Sequence, residues 1–228
     1  MGVLGSALIA LLGLGAPIAL ALIAVTVGFI LYDPLLSESA IFRSFFSFVN
    51  KYTLMAIPFF IFAGFLMERT GLIKKLFRFA DALIGWVPGG FAYATILAAV
   101  MFGAISGSST AMAAAMGVVA YPEMIKRGYP KWMAAGVIAT GGGIAILIPP
   151  SITLILYGVL TDESIVKLFF AGVIPGLMLA FSDAVIVMTM ALIIKLPANK
   201  FSLSELASAG FDALPALLMP VFVLGALY

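Results

Sequence analysis

Apolar runs of about 20 residues follow one another along most of this 228-residue chain. An α-helix rises about 1.5 Å per residue, so a run of that length crosses the roughly 30 Å hydrocarbon core of a membrane. Hydrophobic residues make up 64% of the chain and charged residues 10%, whereas soluble domains carry roughly a quarter charged residues. The sequence therefore predicts an all-α polytopic membrane protein.

The sequence contains no cysteine and no histidine. This excludes disulfides, thiolate or imidazole metal ligands, and every catalytic arrangement that relies on those groups. Neither a lysine nor a pair of carboxylates lies inside a predicted membrane segment to activate a serine, so we expect neither an enzyme nor an organic cofactor. A net charge of +2, scattered along the chain, excludes recognition of nucleic-acid phosphates.

The amino-terminal part of the chain predicts two membrane crossings. Residues 3–32 form one long, tilted helix that is bent near Pro17, because proline cannot donate a hydrogen bond to the carbonyl four residues earlier. Residues 33–51 read as a partly helical interfacial segment with phenylalanines on its apolar side. Residues 52–67 cross the membrane again.

Two basic loops determine the topology of the middle of the chain. Residues 68–89 and 121–131 both carry an excess of lysine and arginine, so both belong on the cytoplasmic side. The apolar stretch 90–120 between them is broken by the serine cluster 106–110, and its two arms of about 16 and 12 residues reach only about 24 and 18 Å. We therefore predict a re-entrant hairpin whose polar tip lies inside the protein.

A second interrupted segment follows the hairpin. Residues 132–160 contain a glycine run at 141–143 and the sequence IPPS at 148–151, which predicts one crossing made of two half-helices. The acidic turn at 161–163 belongs outside. Residues 168–194 then return to the cytoplasmic side, 195–211 form a polar connector, and 212–228 begin another helix.

Both breaks predict a binding site built from backbone groups and hydroxyls. Carbonyls left without helical partners attract a cation, whereas the amides at the start of a half-helix attract an anion. If the two breaks face each other, they form a cage for sodium next to a carboxylate site. The alternative reading is that glycine, serine and proline here only permit close packing and kinks.

Asp183 is the only carboxylate well inside an apolar segment. Such acids are costly in a membrane and suggest function, for example in a proton relay. Its helix offers no basic partner, so the favoured reading is structural. In that reading Asp183 faces a cavity or another subunit, and a polypeptide segment outside this chain supplies its partner.

Several motifs resemble the large membrane subunit, DctM type, of tripartite ATP-independent periplasmic (TRAP) transporters. The motifs are GAPIA at 15–19, AIPFFIFAG at 56–64, FGAISGSS at 102–109, IPPS at 148–151 and AGVIPG at 171–176. The resemblance implies an elevator-type secondary transporter in the bacterial inner membrane, which takes up C4-dicarboxylates, sialic acids or other organic acids with sodium as the coupling ion. It also implies a periplasmic binding protein and a small DctQ-type membrane subunit as partners.

The resemblance also assigns residues. The family's first sodium site would fall on carbonyls of Ser106 and Ser109 in the hairpin and of Ala145, Ile148 and Pro150 in the broken helix. The family usually has glycine at the position of Ala145. Substrate would contact residues beside these, namely Ser108, Thr110 and Ser151.

Family members are about twice as long as this chain and carry a second, inverted repeat. We expect residues 1–89 to be scaffold-type helices with a cytoplasmic connector. Residues 90–167 then form the transport unit, with its hairpin at 90–121 and its broken helix at 131–160. Residues 168–228 are scaffold or connector helices, and the chain ends before the second repeat. The alternatives are a related ion-coupled anion carrier that needs no binding protein, or an inactive membrane fragment.

Overall fold

The computed structural model describes residues 2–32 and 38–226 of the chain. Within those ranges every regular element is a helix, which confirms the predicted all-α class. The chain divides into two compact units, Met1–Lys51 and Tyr52–Tyr228. The α-helices are, in order, α1 Gly2–Gly13, α2 Ile18–Tyr32, α3 Glu38–Val49, α4 Ala56–Arg69, α5 Leu72–Ile84, α6 Gly90–Ser106, α7 Ser109–Lys126, α8 Lys131–Leu147, α9 Ile152–Thr161, α10 Ile165–Ile194 and α11 Leu203–Ala226.

The first unit corrects the prediction of one long crossing over residues 3–32. The break falls at the predicted place, where Gly15 adopts a positive φ of 80° before Pro17. However, α1 and α2 pack against each other, and one cavity of about 610 Å³ is lined by both Val3 and Tyr32. The two helices therefore form an antiparallel hairpin, with arms only about 18 and 23 Å long.

Helix α3 confirms that the segment after the first hairpin is partly helical. Its phenylalanines at positions 42, 45 and 46 are 65%, 61% and 60% exposed. An exposed aromatic side of this kind is typical of a helix at a membrane interface. Part of the predicted segment, residues 33–37, lies outside the described residues.

In the second unit, α6 is the central helix and contacts α4, α5, α7, α8, α10 and α11. Small residues allow this close packing, because they bring helix backbones near one another. A Cβ atom built on Gly103 would lie 2.7 Å from the Cα atom of Ala145, which shows how closely α6 approaches α8. The fully buried alanines of α6 are Ala92, Ala94, Ala98 and Ala99.

Helix α5 is amphipathic and forms most of the basic segment predicted at residues 68–89. Its apolar side, which includes Leu76 and Phe77, is buried, whereas Lys74 and Lys75 are exposed. This pattern follows the 3.6-residue period of a surface helix. The basic segment predicted at 68–89 is therefore largely a helix packed on α6 and α11.

Helix α11 begins earlier than the sequence analysis predicted. Residues 195–211 were expected to be a connector, but the helix starts at Leu203. Ser202 caps it, since its hydroxyl accepts a hydrogen bond from the Glu205 amide at 3.3 Å. Ser202 and Glu205 have the spacing of a capping box, which is a sequence signal for the start of a helix. This signal places the start of α11 inside the predicted connector.

By length and composition, α10 is one helix able to cross a membrane. Helices α8 and α9 count as a second crossing if they are joined across their break, where they bend by 42°. The break predicted at 148–151 is therefore confirmed, whereas α8 continues without interruption through the glycine run at 141–143. Helices α6 and α7 meet at residues 107–108, and each packs on the other and on α8. Whether this pair re-enters the membrane stays a prediction.

Candidate functional site

The first break, between α6 and α7, is made by a left-handed glycine followed by a capping serine. Gly107 has a φ of 56°, a conformation that side chains rarely adopt, and its amide donates to the Gly103 carbonyl at 3.0 Å. Ser108 is extended, and its hydroxyl accepts from the Ala111 amide at 3.3 Å. The chain thus ends one helix and starts the next within two residues.

The second break, between α8 and α9, is made by prolines. The Ile148 amide donates to the Ile144 carbonyl at 3.1 Å, which closes the last turn of α8. The next two residues are Pro149 and Pro150, which have no amide protons, so the carbonyls of Ala145 and Ile146 receive no helical hydrogen bond. These carbonyls are therefore available as acceptors.

Ser151 starts α9 in the same way that Ser108 starts α7. Its backbone is extended, and its hydroxyl accepts from the Leu154 amide at 3.4 Å. Both half-helices therefore begin with a serine cap in nearly the same conformation, with φ of −124° at Ser108 and −125° at Ser151. Each start also presents amides with partial positive charge.

The two breaks are in direct contact, so the condition that the sequence analysis set for a shared site is met. The Ile152 amide donates to the Gly107 carbonyl at 3.4 Å. A Cβ atom built on Gly107 would collide with the Pro150 carbonyl oxygen and lie 2.8 Å from the Cα atom of Ser151. Only a residue without a side chain fits at position 107 in this arrangement.

A second close contact lies one turn from the breaks. A Cβ atom on Gly142 would lie 2.8 Å from the hydroxyl oxygen of Ser109, so α8 approaches the start of α7 at this glycine. The sequence analysis did not assign Gly142, although the run GGG at 141–143 was the signal for such an approach. Gly142 thus joins the residues that position the site.

The structure brings all eight predicted site residues to the two breaks. Ser106 and Ile148 are buried, at 3% and 7% exposure, and Ser151 is fully buried. Ser108 is half-buried, and its hydroxyl lies 3.2 Å from that of Thr110, which is exposed. The other predicted positions are Ser109, which is half-buried, and Ala145 and Pro150, which are buried.

The electrostatics of this site come from backbone and hydroxyl groups. Two helices end here and two begin, so carbonyls with partial negative charge lie beside amides with partial positive charge. No cluster of three or more acidic, histidine or cysteine side chains occurs among the described residues. Chemically, free carbonyl oxygens can coordinate a hard cation, and helix-start amides can bind an anion.

The far ends of α6 and α7 are held by an ionic cluster that the sequence analysis did not recognise. The two Nη atoms of Arg127 lie 3.4 and 3.3 Å from the Asp81 carboxylate, and its guanidinium lies 3.9 Å above the Phe91 ring. The Asn199 amide nitrogen also donates to Asp81, at 3.2 Å. Burial raises the pKa of Asp81, and the charge of Arg127 opposes that rise. The sequence showed these charges only as a sign of the cytoplasmic side.

Nearly the whole chain is similar to known proteins. The family model described as "Tripartite ATP-independent periplasmic transporter, DctM component" matches residues 6–228. A C4-dicarboxylate TRAP transporter large permease protein DctM of Pseudomonas aeruginosa is 43% identical over 78% of this chain and 42% of its own length. The corresponding protein of Vibrio cholerae is 39% identical over 94% of this chain and 48% of its own length.

Relatives with other names match as well. The isethionate TRAP transporter permease protein DctMQ of Oleidesulfovibrio alaskensis is 38% identical over 94% of this chain and 34% of its own length. The 2,3-diketo-L-gulonate TRAP transporter large permease protein YiaN of Escherichia coli is 34% identical over 94% of this chain and 51% of its own length. The chain spans between about a third and about half of the length of these curated relatives.

Proposed function

The chain belongs to the family of the DctM component of tripartite ATP-independent periplasmic transporters, and on that basis we propose that it carries the first ion and substrate site of a sodium-coupled permease. The relatives are transporter permease proteins by name, not enzymes. The observation that carries the proposal is the contact between the two helix breaks through Gly107 and Ile152.

The proposed sodium ligands are the backbone carbonyls of Ser106, Ser109, Ala145, Ile148 and Pro150. Hard cations prefer several oxygen ligands, and unwound helix carbonyls bind sodium in transporters of this general design. The missing amides of the two prolines support the proposal at Ala145, because they leave its carbonyl free. At Ser109 it is the hydroxyl, facing Gly142, that supports a role at this site.

Ala145 occupies a position where the family usually has glycine, yet the proposed ligand is compatible with the methyl group. The residue is fully buried, and its backbone packs against Gly103. Since Gly103 has no side chain, the two helices approach closely despite the extra carbon. A carbonyl ligand does not depend on the side chain it belongs to.

We place the substrate at Ser108, Thr110 and Ser151, where α7 and α9 begin. Helix starts favour anions, and serine and threonine hydroxyls can donate to a carboxylate. The relatives named for a substrate carry C4-dicarboxylate, isethionate and 2,3-diketo-L-gulonate in their names, and all three are organic anions. A small organic anion is therefore the proposed substrate class, delivered by a periplasmic binding protein.

The membrane arrangement is also part of the proposal. In it, α6 and α7 form the re-entrant hairpin, α8 and α9 form the broken crossing, and residues 90–167 move as the transport unit of an elevator-type carrier in the inner membrane. Residues 1–89 and 168–228 supply scaffold and connector helices, braced by a small membrane subunit. A second, inverted repeat outside this chain completes the carrier.

Uptake of labelled organic acids into proteoliposomes tests the proposal. The full-length permease is reconstituted with its small subunit and binding protein, in sodium and in potassium. We expect uptake to need sodium and the binding protein, and Ser106→Pro to abolish it by deforming the carbonyls at the end of α6. Uptake without sodium would contradict the ion site, and uptake indifferent to the binding protein would favour an independent anion carrier.

A further inference from the structure

Asp183 lies in a part of the fold that the proposed transport site does not use. It belongs to the stripe of α10 residues that are buried against neighbouring helices, together with Gly176 and Val187. The residue is 7% exposed, and its Oδ2 atom has no hydrogen-bond partner among the described residues. One oxygen of this buried carboxyl group thus lacks a partner, which is costly in a membrane helix unless the group binds a proton or meets a counter-charge.

The carboxyl group lines a groove between α8 and α10. The groove has a volume of about 150 Å³ and runs from Asp183 and Thr140 to Trp132, whose indole is 62% exposed. The Thr140 hydroxyl neighbours the carboxyl group, but its single proton is also within reach of the Gly136 and Val137 carbonyls of its own helix, at 3.1 and 3.2 Å. Thr140 therefore cannot supply a counter-charge.

No described side chain neutralises Asp183. The helices that pack on α10 are α6, α8 and α9, and their titratable groups are Tyr93, Lys131 and Tyr157. None of these lines the groove, and neither does Lys167 near the start of α10. For the ionised carboxylate, the counter-charge therefore comes from another polypeptide segment or from a bound cation.

The walls of the groove decide between these occupants. Apart from Asp183 and Thr140, the lining side chains are apolar or aromatic, with Met133, Ile186 and Met190 among them. Bound water needs two to four polar partners, and a metal cation needs several oxygens, so neither is well served. A lysine or arginine fits, because its aliphatic stem packs on apolar walls while its charged head meets the carboxylate.

We propose that this groove receives a lysine or arginine from a membrane helix of the small membrane subunit. The inference rests on the proposed function, which supplies that subunit as a partner. Asp183 is about 17 Å from the end of α10 at Ile194, a depth that only another membrane-embedded segment reaches. In the 18-residue apolar stretch of α10, 22% is buried and the rest is accessible. A partner helix can therefore lie along α10.

Retention of the small subunit tests the inference. The full-length permease, tagged and co-expressed with the small subunit, is purified as wild type, Asp183→Asn, Asp183→Lys and Ser182→Ala. The control Ser182 is adjacent and exposed, and its hydroxyl bonds only its own helix, to the Met178 carbonyl at 2.9 Å. We expect both Asp183 variants to retain about tenfold less subunit or worse, and Ser182→Ala to retain the wild-type amount.

Two further measurements distinguish a lost contact from a misfolded permease. Without the subunit, Asp183→Asn should melt at or above the wild-type temperature, because it removes an unpaired buried charge. A photo-reactive residue at Ile186, on the groove wall, should cross-link to the small subunit. In the small subunit, the lysine or arginine nearest the cross-link is then changed to aspartate. The Asp183→Lys permease should retain this altered subunit.

Several results would overturn the inference. They are undiminished retention by Asp183→Asn, a lowered melting temperature of that variant alone, or cross-links that join Ile186 only to the permease itself or to a second copy. If wild type retains no subunit, the partner in the proposed function fails with it. If wild type retains the subunit and Asp183→Asn does too, the inference alone fails.

Discussion

The two helix breaks at the site are built from different residues and differ in what they contribute to the site. The break after Ser106 uses one left-handed glycine, and the carbonyl of that glycine is bonded by the Ile152 amide. The break after Leu147 uses two prolines and leaves the carbonyls of α8 without amide donors. The glycine break thus provides the close contact, and the proline break leaves free carbonyl acceptors, which we propose bind a cation.

The largest expected effect comes from filling the glycine break. Gly107→Val places a side chain against Pro150 and Ser151 at a positive φ, so the two breaks must separate. We expect sodium-dependent uptake to fall about 100-fold or more, since displacing a site by 1 Å can cost that much. Uptake by the full-length permease in proteoliposomes measures this.

Gly128→Val is the matched control for that variant. Gly128 also has a positive φ, of 84°, but a Cβ atom there would meet nothing within 4 Å. Both variants place a β-branched residue at a positive φ, and we expect only the one at Gly107 to separate the breaks. Equal losses of uptake in the two would show that strain, not the contact, matters.

The proline break is tested by restoring an amide. Pro149→Ala supplies an N–H group that can bond the Ala145 carbonyl and remove it from the proposed cage. We expect the half-saturating sodium concentration for uptake to rise about tenfold, equivalent to about 1.4 kcal/mol. Pro122→Ala restores an amide inside α7, about 20 Å along that helix from its start at Ser109, and should leave the sodium dependence unchanged.

A smaller effect is expected from the serine caps. Ser108→Ala and Ser151→Ala remove a hydroxyl at the proposed anion site and a cap worth about 1 kcal/mol. The KM for the organic acid should rise several-fold in both. Ser164→Ala removes the same kind of cap at the start of α10, where the hydroxyl accepts from Lys167, so it should lower the melting temperature but not change KM. If KM also rises in Ser164→Ala, the loss of a helix cap and not the loss of a substrate contact explains the change in KM.

The smallest effect concerns the ionic cluster at the far end of the two helices. Because burial raises the pKa of Asp81 above its ordinary 3.8, the folded protein holds that proton more tightly than the unfolded chain. Its contribution to stability is full below pH 3.8 and is lost as the pH rises through the raised pKa. Asp81→Asn should flatten this decline by less than about 1 kcal/mol. Melting temperatures across the acid range, with wild type alongside, measure the change, and an unaltered slope would contradict it.

The sequence predicted the positions of the helix breaks better than the contact between them. Glycine, serine and proline act within a few residues, so the ends of α6 and α8 followed from local chemistry. The contact of Gly107 with Pro150 joins residues more than 40 positions apart and depends on how whole helices pack. The fold-back of α1 and α2 was missed for the same reason, since a proline bend does not indicate how far the chain turns.

Two other differences between prediction and structure come from residues whose signal was present in the sequence but was interpreted differently. The capping box at Ser202 marked the start of α11, yet the polar composition of residues 195–211 favoured a connector. Arg127 and Asp81 were counted as charges that orient loops, and their pairing across 46 positions required the folded structure. Local polarity predicted exposure in these segments, where tertiary packing instead produced helix and ion pairs.

The most direct test of the account is the number of sodium ions that the full-length permease binds at equilibrium, measured with radioactive sodium. Wild type, Gly107→Val and Gly128→Val are compared at matched amounts of folded protein. The account predicts that Gly107→Val binds one sodium ion fewer than the other two, because the cage needs both breaks in contact. Equal sodium binding by all three proteins would contradict a site formed by the two breaks together.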